Sequence, residues 1–229
     1  MRDSGFYSGL VVVVGLLLIS VAPAHGALVI TEVMSSSGTG GTPDWFELTN
    51  TGPSAVDLTG FKMDDNSFGS PATAPVALLG VPTIEAGQTV VFIEGDGTTV
   101  AAFRTFWGGA AQTATIGTYS GSGVSLSSAG DGVTLFDASG TEVPGVRVTF
   151  GAATTGLTFE FDPAAGTFGA LSAAGRDGAF TSADPLANVG SPGVGSLSVV
   201  PEPSTMGLLV VGGVLPLAAR RRARRRTLA

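Results

Sequence analysis

The stretch Asp44-Trp45-Phe46-Glu47-Leu48-Thr49-Asn50, stopped by Thr51-Gly52-Pro53, decides the fold of this chain. It gathers aromatic and β-prone residues into a short run bounded by turn formers, which is the pattern of a β-strand. Upstream, Leu28-Val29-Ile30-Thr31-Glu32-Val33 is a β-branched run followed by the Gly/Ser/Thr loop 35–43. Downstream, Val56-Asp57-Leu58 and Gly60-Phe61-Lys62-Met63 alternate in character and end at Asp64-Asp65-Asn66. The turn Ala86-Gly87-Gln88 leads into Thr89-Val90-Val91-Phe92-Ile93-Glu94, the strongest central strand.

Further strands are expected at Val124-Ser125-Leu126, at Val133–Phe136 and Thr141–Val143 around the turn Asp137–Gly140, at Gly145–Thr149 and at Leu157–Phe161. Between them, Val100–Trp107 places Phe103, Phe106 and Trp107 on one helical face, a short helical insertion that docks on the strands or presents an exposed patch. About eight short strands at regular spacing indicate an all-β, antiparallel β-sandwich. The expected sandwich spans 27–162. Residues 163–200 are Gly-, Ala- and Ser-rich with weak periodicity and read as the end of the domain grading into a linker.

Both ends speak of export. Residues 1–26 have the plan of a secretory signal peptide: Arg2, an apolar run Leu10–Val21, and Ala24-His25-Gly26 before a cut at Ala27. The C-terminus, 201–229, reads Pro201-Glu202-Pro203, then an apolar segment 206–219, then an arginine-rich end 220–226. Positive charge is retained on the cytoplasmic side, so the body would lie outside the inner membrane. This tail resembles the PEP-CTERM sorting signal, with Pro201, Glu202 and Pro203 as its motif. The resemblance implies processing by an exosortase-type membrane protease, after signal peptidase has acted at the other end. The protein would be anchored transiently through 206–219 and then reach the cell surface or the medium.

Composition narrows the chemistry. Of 18 acidic residues only Asp3 and Glu202 fall outside 27–200, and of 11 basic residues only Lys62, Arg104, Arg147 and Arg176 fall inside, so this body carries a net charge near −12. That argues against a nucleic-acid partner, which needs clustered Lys and Arg. The chain has no cysteine, and its one histidine, His25, leaves with the signal peptide. Disulfides, His-dependent nucleophilic triads and His-bearing zinc sites are thereby excluded from the body.

Carboxylate pairs remain as the catalytic option, as in glycoside hydrolysis. Asp44 with Glu47, or Asp64 with Asp65, would have to carry it, against the plainer reading of strand and turn residues. Calcium needs only oxygen ligands, and Asp64, Asp65 and Asp96 are the candidate ligands. They lack EF-hand spacing, and Asp is also an ordinary turn residue. Trp45, Phe46 and Phe61 are core aromatics or, alternatively, a sugar-stacking surface.

The body resembles the bacterial form of the lamin tail domain. The likeness runs from Ile30, Glu32 and Val33, through 44–50, 56–61 and Met63-Asp64-Asp65, to Gly87, Phe103-Arg104, Trp107-Gly108 and 130–135, closing at Gly190-Ser191-Pro192-Gly193. Phe61 stands where the family often has Trp. The resemblance implies an immunoglobulin-like sandwich used for binding or architecture, without catalysis. The expected function is that of a non-enzymatic surface or matrix protein, associated with extracellular polysaccharide or envelope proteins. The alternative is an exported carbohydrate-active or nuclease-associated module.

Overall fold

The computed structural model describes residues 28–69, 74–121, 123–195 and 197. The expected signal peptide 1–26, the motif Pro201-Glu202-Pro203, the segment 206–219 and the arginine-rich end lie outside the described residues. No helix among the described residues is long and apolar enough to cross a membrane.

In chain order the strands are β1 Leu28–Met34, β2 Trp45–Asn50, β3 Val56–Asp57, β4 Lys62–Asp64, β5 Val76–Ala77, β6 Thr83–Ile84 and β7 Thr89–Glu94. Helix α1, Gly97–Trp107, and a 3-10 turn, Gly109–Gln112, follow. Then come β8 Thr115–Tyr119, β9 Asp131–Phe136, β10 Val148–Phe150, β11 Phe159–Asp162, β12 Thr167–Leu171, β13 Phe180–Thr181 and β14 Val189–Gly190. A six-stranded sheet in the order β12-β11-β1-β2-β7-β8 faces a four-stranded sheet, β10-β9-β4-β5, with the pairs β3-β6 and β13-β14 beside them.

All six residues of β2 are buried, because both faces of its sheet are covered. Phe46 and Leu48 point into the sandwich, where Ile30, Val90 and Phe92 meet Met63, Val133 and Leu135 of the facing sheet. Trp45 points the other way, with Met34, Val91 and Ile93, onto α1. There Phe103, Phe106 and Trp107 are 1, 8 and 1 % exposed, so the helical face docks and is no surface patch. Trp45 meets the rings of Phe103 and Trp107 edge-on, each at 5.6 Å.

Three expectations change. The sandwich is not wholly antiparallel: β7 and β8 run parallel, and α1 is the crossover that such a pair requires. Val124–Leu126 forms no strand, although Val124 and Leu126 are buried. The stretch 163–200, expected as the end of the domain grading into a linker, is folded through residue 195, with β12 completing the large sheet against β11. Its weak periodicity reflects an exposed edge strand and short strands fixed by hydrogen bonds, not by an apolar face of their own.

Candidate functional site

β1 carries a register irregularity between Ile30 and Glu32. Ile30 stands opposite Leu48, whereas Glu32 stands opposite Glu47 and Val33 opposite Phe46. The extra residue, Thr31, shifts the alternation by one, since side chains in a strand change face at every residue. Without it Glu32 would follow Leu28 and Ile30 into the apolar sandwich. With it, Glu32 joins Glu47 on the helix-side face, and on the other flank Glu32 is paired with Glu160 of β11. Three carboxyl groups thus stand in a row across β11, β1 and β2, and Glu160, Glu32 and Glu47 are 7, 0 and 1 % exposed.

The roof over this row is a strap, residues 188–195, containing β14 and the chain after it. The Ser191 N–H donates to Glu32 Oε1 at 2.7 Å and its hydroxyl to Oε2 at 3.1 Å. The Gly193 N–H donates to Glu47 Oε2 at 2.7 Å. From below, Thr158 Oγ1 donates to Glu32 at 2.6 Å and Thr31 Oγ1 to Glu47 at 2.8 Å. The strap lies so close that a Cβ on Gly190 would sit 2.6 Å from Glu32 Oε1 and 3.0 Å from the Trp107 ring. Gly193 has φ near 80° and leaves no room for a side chain against Ala114. Gly190→Val is therefore expected to unseat the strap, read as a red shift in tryptophan emission as Trp107 loses its cover.

Burial sets the electrostatics. Desolvation lifts Glu32 from the ordinary 4.5 to about 8, against hydrogen bonds from Thr158 and Ser191 that pull it down, while Glu160 adds repulsion. Glu47 is raised well above the carboxylate range by burial first and by Glu32 second. Glu160 rises to about 7 through burial and Asp177, with Arg176 opposing. Like charges this close cannot all ionise at neutral pH, so the row holds protons.

Of the residues singled out in the sequence, Glu47 belongs to this row and the others fall elsewhere. Asp44 and Glu47 lie on opposite sides of the sheet: Asp44 Oδ2 accepts from the Leu126 N–H at 3.1 Å on the sandwich side, and Glu47 faces the strap. They form no catalytic pair. Asp64 is fully buried and accepts from Ser67 Oγ at 2.8 Å and from the Gly69 N–H. Asp65 closes the same turn by accepting from the Ser67 N–H at 2.9 Å. Asp96 is in another layer, at the N-cap of α1, in a capping box with Thr99. The three are not brought together. Asp96→Ala should lower Tm by about 2–5 °C through loss of that cap, checked by thermal unfolding.

Glu32 and Glu160 were the residues to find. The signal is an acidic residue, Glu32, inside the β-branched run Leu28–Val33, where a charge has no place unless it is paired or neutral. A second acidic group, Asp44, Glu94 and Asp131, acts electrostatically on the buried Tyr119 hydroxyl. Burial and Glu94 raise Asp44 to about 6, and burial followed by the three carboxylates raises Tyr119. Beside α1, a cavity of ≈ 350 Å³ is lined by Thr42, Pro43, Thr105, Phe106 and Asp184 among others. Its aromatic rings turn inward onto Trp107, so it offers hydroxyls and a carboxylate but no stacking face.

Residues 21–150 match the family described as Lamin Tail Domain, and residues 199–225 match the PEP-CTERM protein-sorting motif. No curated protein matches the chain. The first match covers β1 to β10 and ends before β11, so the strand that supplies Glu160 and the strap lie beyond it. That family is a non-catalytic, immunoglobulin-like one, in keeping with several sheets packed as a sandwich and little helix. The sorting motif implies export and processing by an exosortase. With its matched sheets, docked helix and a sorting motif behind them, the chain belongs to the Lamin Tail Domain family.

Proposed function

We propose that this is a non-enzymatic structural protein of the cell surface, a lamin-tail module delivered by an exosortase and held within the exopolysaccharide layer. The reading is carried by the sorting motif at 199–225, which follows directly on the last described residues of the domain. Signal peptidase removes 1–26, segment 206–219 holds the chain in the inner membrane, and cleavage near Pro201-Glu202-Pro203 frees or re-anchors the body. The strong negative charge of 27–200 keeps the body soluble outside the cell and turns it away from polyanions other than cation-bridged ones. Contact with polysaccharide is made through hydroxyls, amides and carboxylates on the surface, because Trp45, Trp107 and Phe46 are buried.

Intact-mass measurement on protein from the native envelope tests the maturation: a C-terminus near Pro203 is expected. Deleting 201–229 should redistribute the body between membrane and medium in fractionation. Co-sedimentation of the body with native polysaccharide, with and without calcium, tests the association. Polysaccharide turnover that depended on Glu47 or Asp64 would overturn the structural reading.

A further inference from the structure

The buried carboxylates do more than fill the sheet, because both hold the same piece of chain. Upstream, the strap is tied by backbone pairing: Val189 N–H to Gly156 O at 2.7 Å, and β14 to β13. The Asn188 side chain adds a bond to Ser37 O at 3.1 Å. Downstream of Gly190 the ties change character. Ser191 and Gly193 are held by the Glu32 and Glu47 carboxyls, and residues 194–200 then lead to Pro201. We propose that Glu32 and Glu47 form a proton-dependent latch, which holds Ser191–Gly193 down while the pair keeps a proton and lets the strap lift when both groups ionise.

The geometry favours this over general loosening. Glu32 and Glu47 are direct cross-strand neighbours, so full ionisation places two like charges side by side in a site closed to water. Lifting the strap admits water to both without disturbing the β1–β2 pairing beneath. Hydrogen bonds from Thr158, Thr31 and the strap favour the charged forms but do not offset burial, and no cation among the described residues faces the pair. β11 presents Glu160, and the turn beyond β12 presents Asp177 and Arg176, which both act on Glu160, Asp177 raising it and Arg176 opposing. The Arg104 guanidinium of α1 is turned to the carbonyls of Ala111, Gln112 and Ala114. Residues 188–195 contain no titratable side chain. The raised proton affinity of both carboxyls, caused chiefly by burial, puts the transition on the alkaline side of neutral.

Release back to Gly190 would free Ser191–Gly193 upstream of the sorting motif, three residues or at most about 11 Å of extended chain. The latch rests on the body's geometry; its bearing on maturation also rests on exosortase processing, and cleavage unaffected by strap opening would remove that consequence alone.

Hydrogen exchange on the full chain in detergent micelles tests the latch, with rates expressed as protection factors so that base catalysis cancels. Between pH 6.5 and 9 the Ser191 and Gly193 amides should lose protection by about tenfold or more, while the Phe46 and Phe92 amides keep theirs. Glu47→Gln should leave the strap protected throughout, and the wild-type profile decides by itself if that variant does not fold. Constant protection at Ser191 and Gly193, or a loss shared equally by Phe92, would overturn the proposal.

Discussion

Raising the pH from 5 to 9 is expected to destabilise the whole domain, lowering its urea midpoint by on the order of 1–2 M. The sign follows from the direction of the shifts. Glu32 keeps its proton in the folded chain up to about 8, whereas the unfolded chain releases it near the ordinary 4.5. Between those values the folded state binds more protons, so stability falls as pH rises, by about 1.4 kcal/mol per pH unit for each full proton. Glu47, raised by burial and by Glu32, contributes in the same direction. Asp44, raised to about 6, adds to the acid half of the window, with a smaller effect because it is partly open to solvent.

The opposing groups are weak. Asp57, Asp96 and Asp137 are lowered by local hydrogen bonds, so their stabilisation is complete above the ordinary carboxylate range, is lost only in acid and stays constant between pH 5 and 9. They are exposed, and solvent screens them. Stability should therefore peak near pH 5. The double substitution Glu32→Gln with Glu47→Gln keeps the shape of the row and removes the titration of its two most buried members, leaving Glu160. It should flatten the profile and leave the variant more stable than the wild type at pH 9. A wild-type midpoint that is level, or that rises, from pH 5 to 9 would sink this account of the row.

The strands that were legible are those whose side chains announce a face. In 44–50 the alternation of Phe46 and Leu48 with Trp45, Glu47 and Thr49 states the strand outright, and Thr89–Glu94 does so by sheer β-branched density. β8 escaped notice because its centre is Gly117, where a Cβ would collide with the Phe92 ring and the Leu79 carbonyl. The tight seat that requires glycine also erases the pattern by which a strand is recognised. β14 and the strap show no strand pattern for a related reason, and in the sequence only the likeness at Gly190-Ser191-Pro192-Gly193 ties them to the domain. Their order comes from donors to buried carboxylates more than 140 residues away in sequence, a relation that no local window contains.

The candidate site was legible only in fragments. Glu47 and Glu32 each occupy a strand, but their pairing depends on the bulge at Thr31, and neither glycine nor proline marks it. Phe103 and Trp107 were placed on one helical face from their spacing, and there a local rule sufficed. Asp96 shows the opposite error. An acidic residue between two glycines resembles a ligand, yet its place one residue before a helix makes it a cap.

Phe103→Ala should cost about 3–5 kcal/mol, a large share of the roughly 5–15 kcal/mol that holds a domain together. The ring is 1 % exposed, meets Trp45 edge-on at 5.6 Å and lies 6.1 Å from Trp107. Truncation opens a void between α1 and the sheet that neither indole can fill, since each is fixed by other partners: Trp45 by the sheet, Trp107 by Phe106 and Phe180. The chain's two tryptophans are these two, so intrinsic fluorescence reports the helix-side layer alone, while far-UV circular dichroism is dominated by the strands. In the variant the fluorescence transition should move to lower urea by at least as much as the dichroism transition, with emission red-shifted before unfolding begins. The sandwich side, centred on Phe46 and Phe92 stacked at 5.5 Å, does not touch Phe103. If the fluorescence midpoint held while the dichroism midpoint fell, the helix would not be the layer that Phe103 secures.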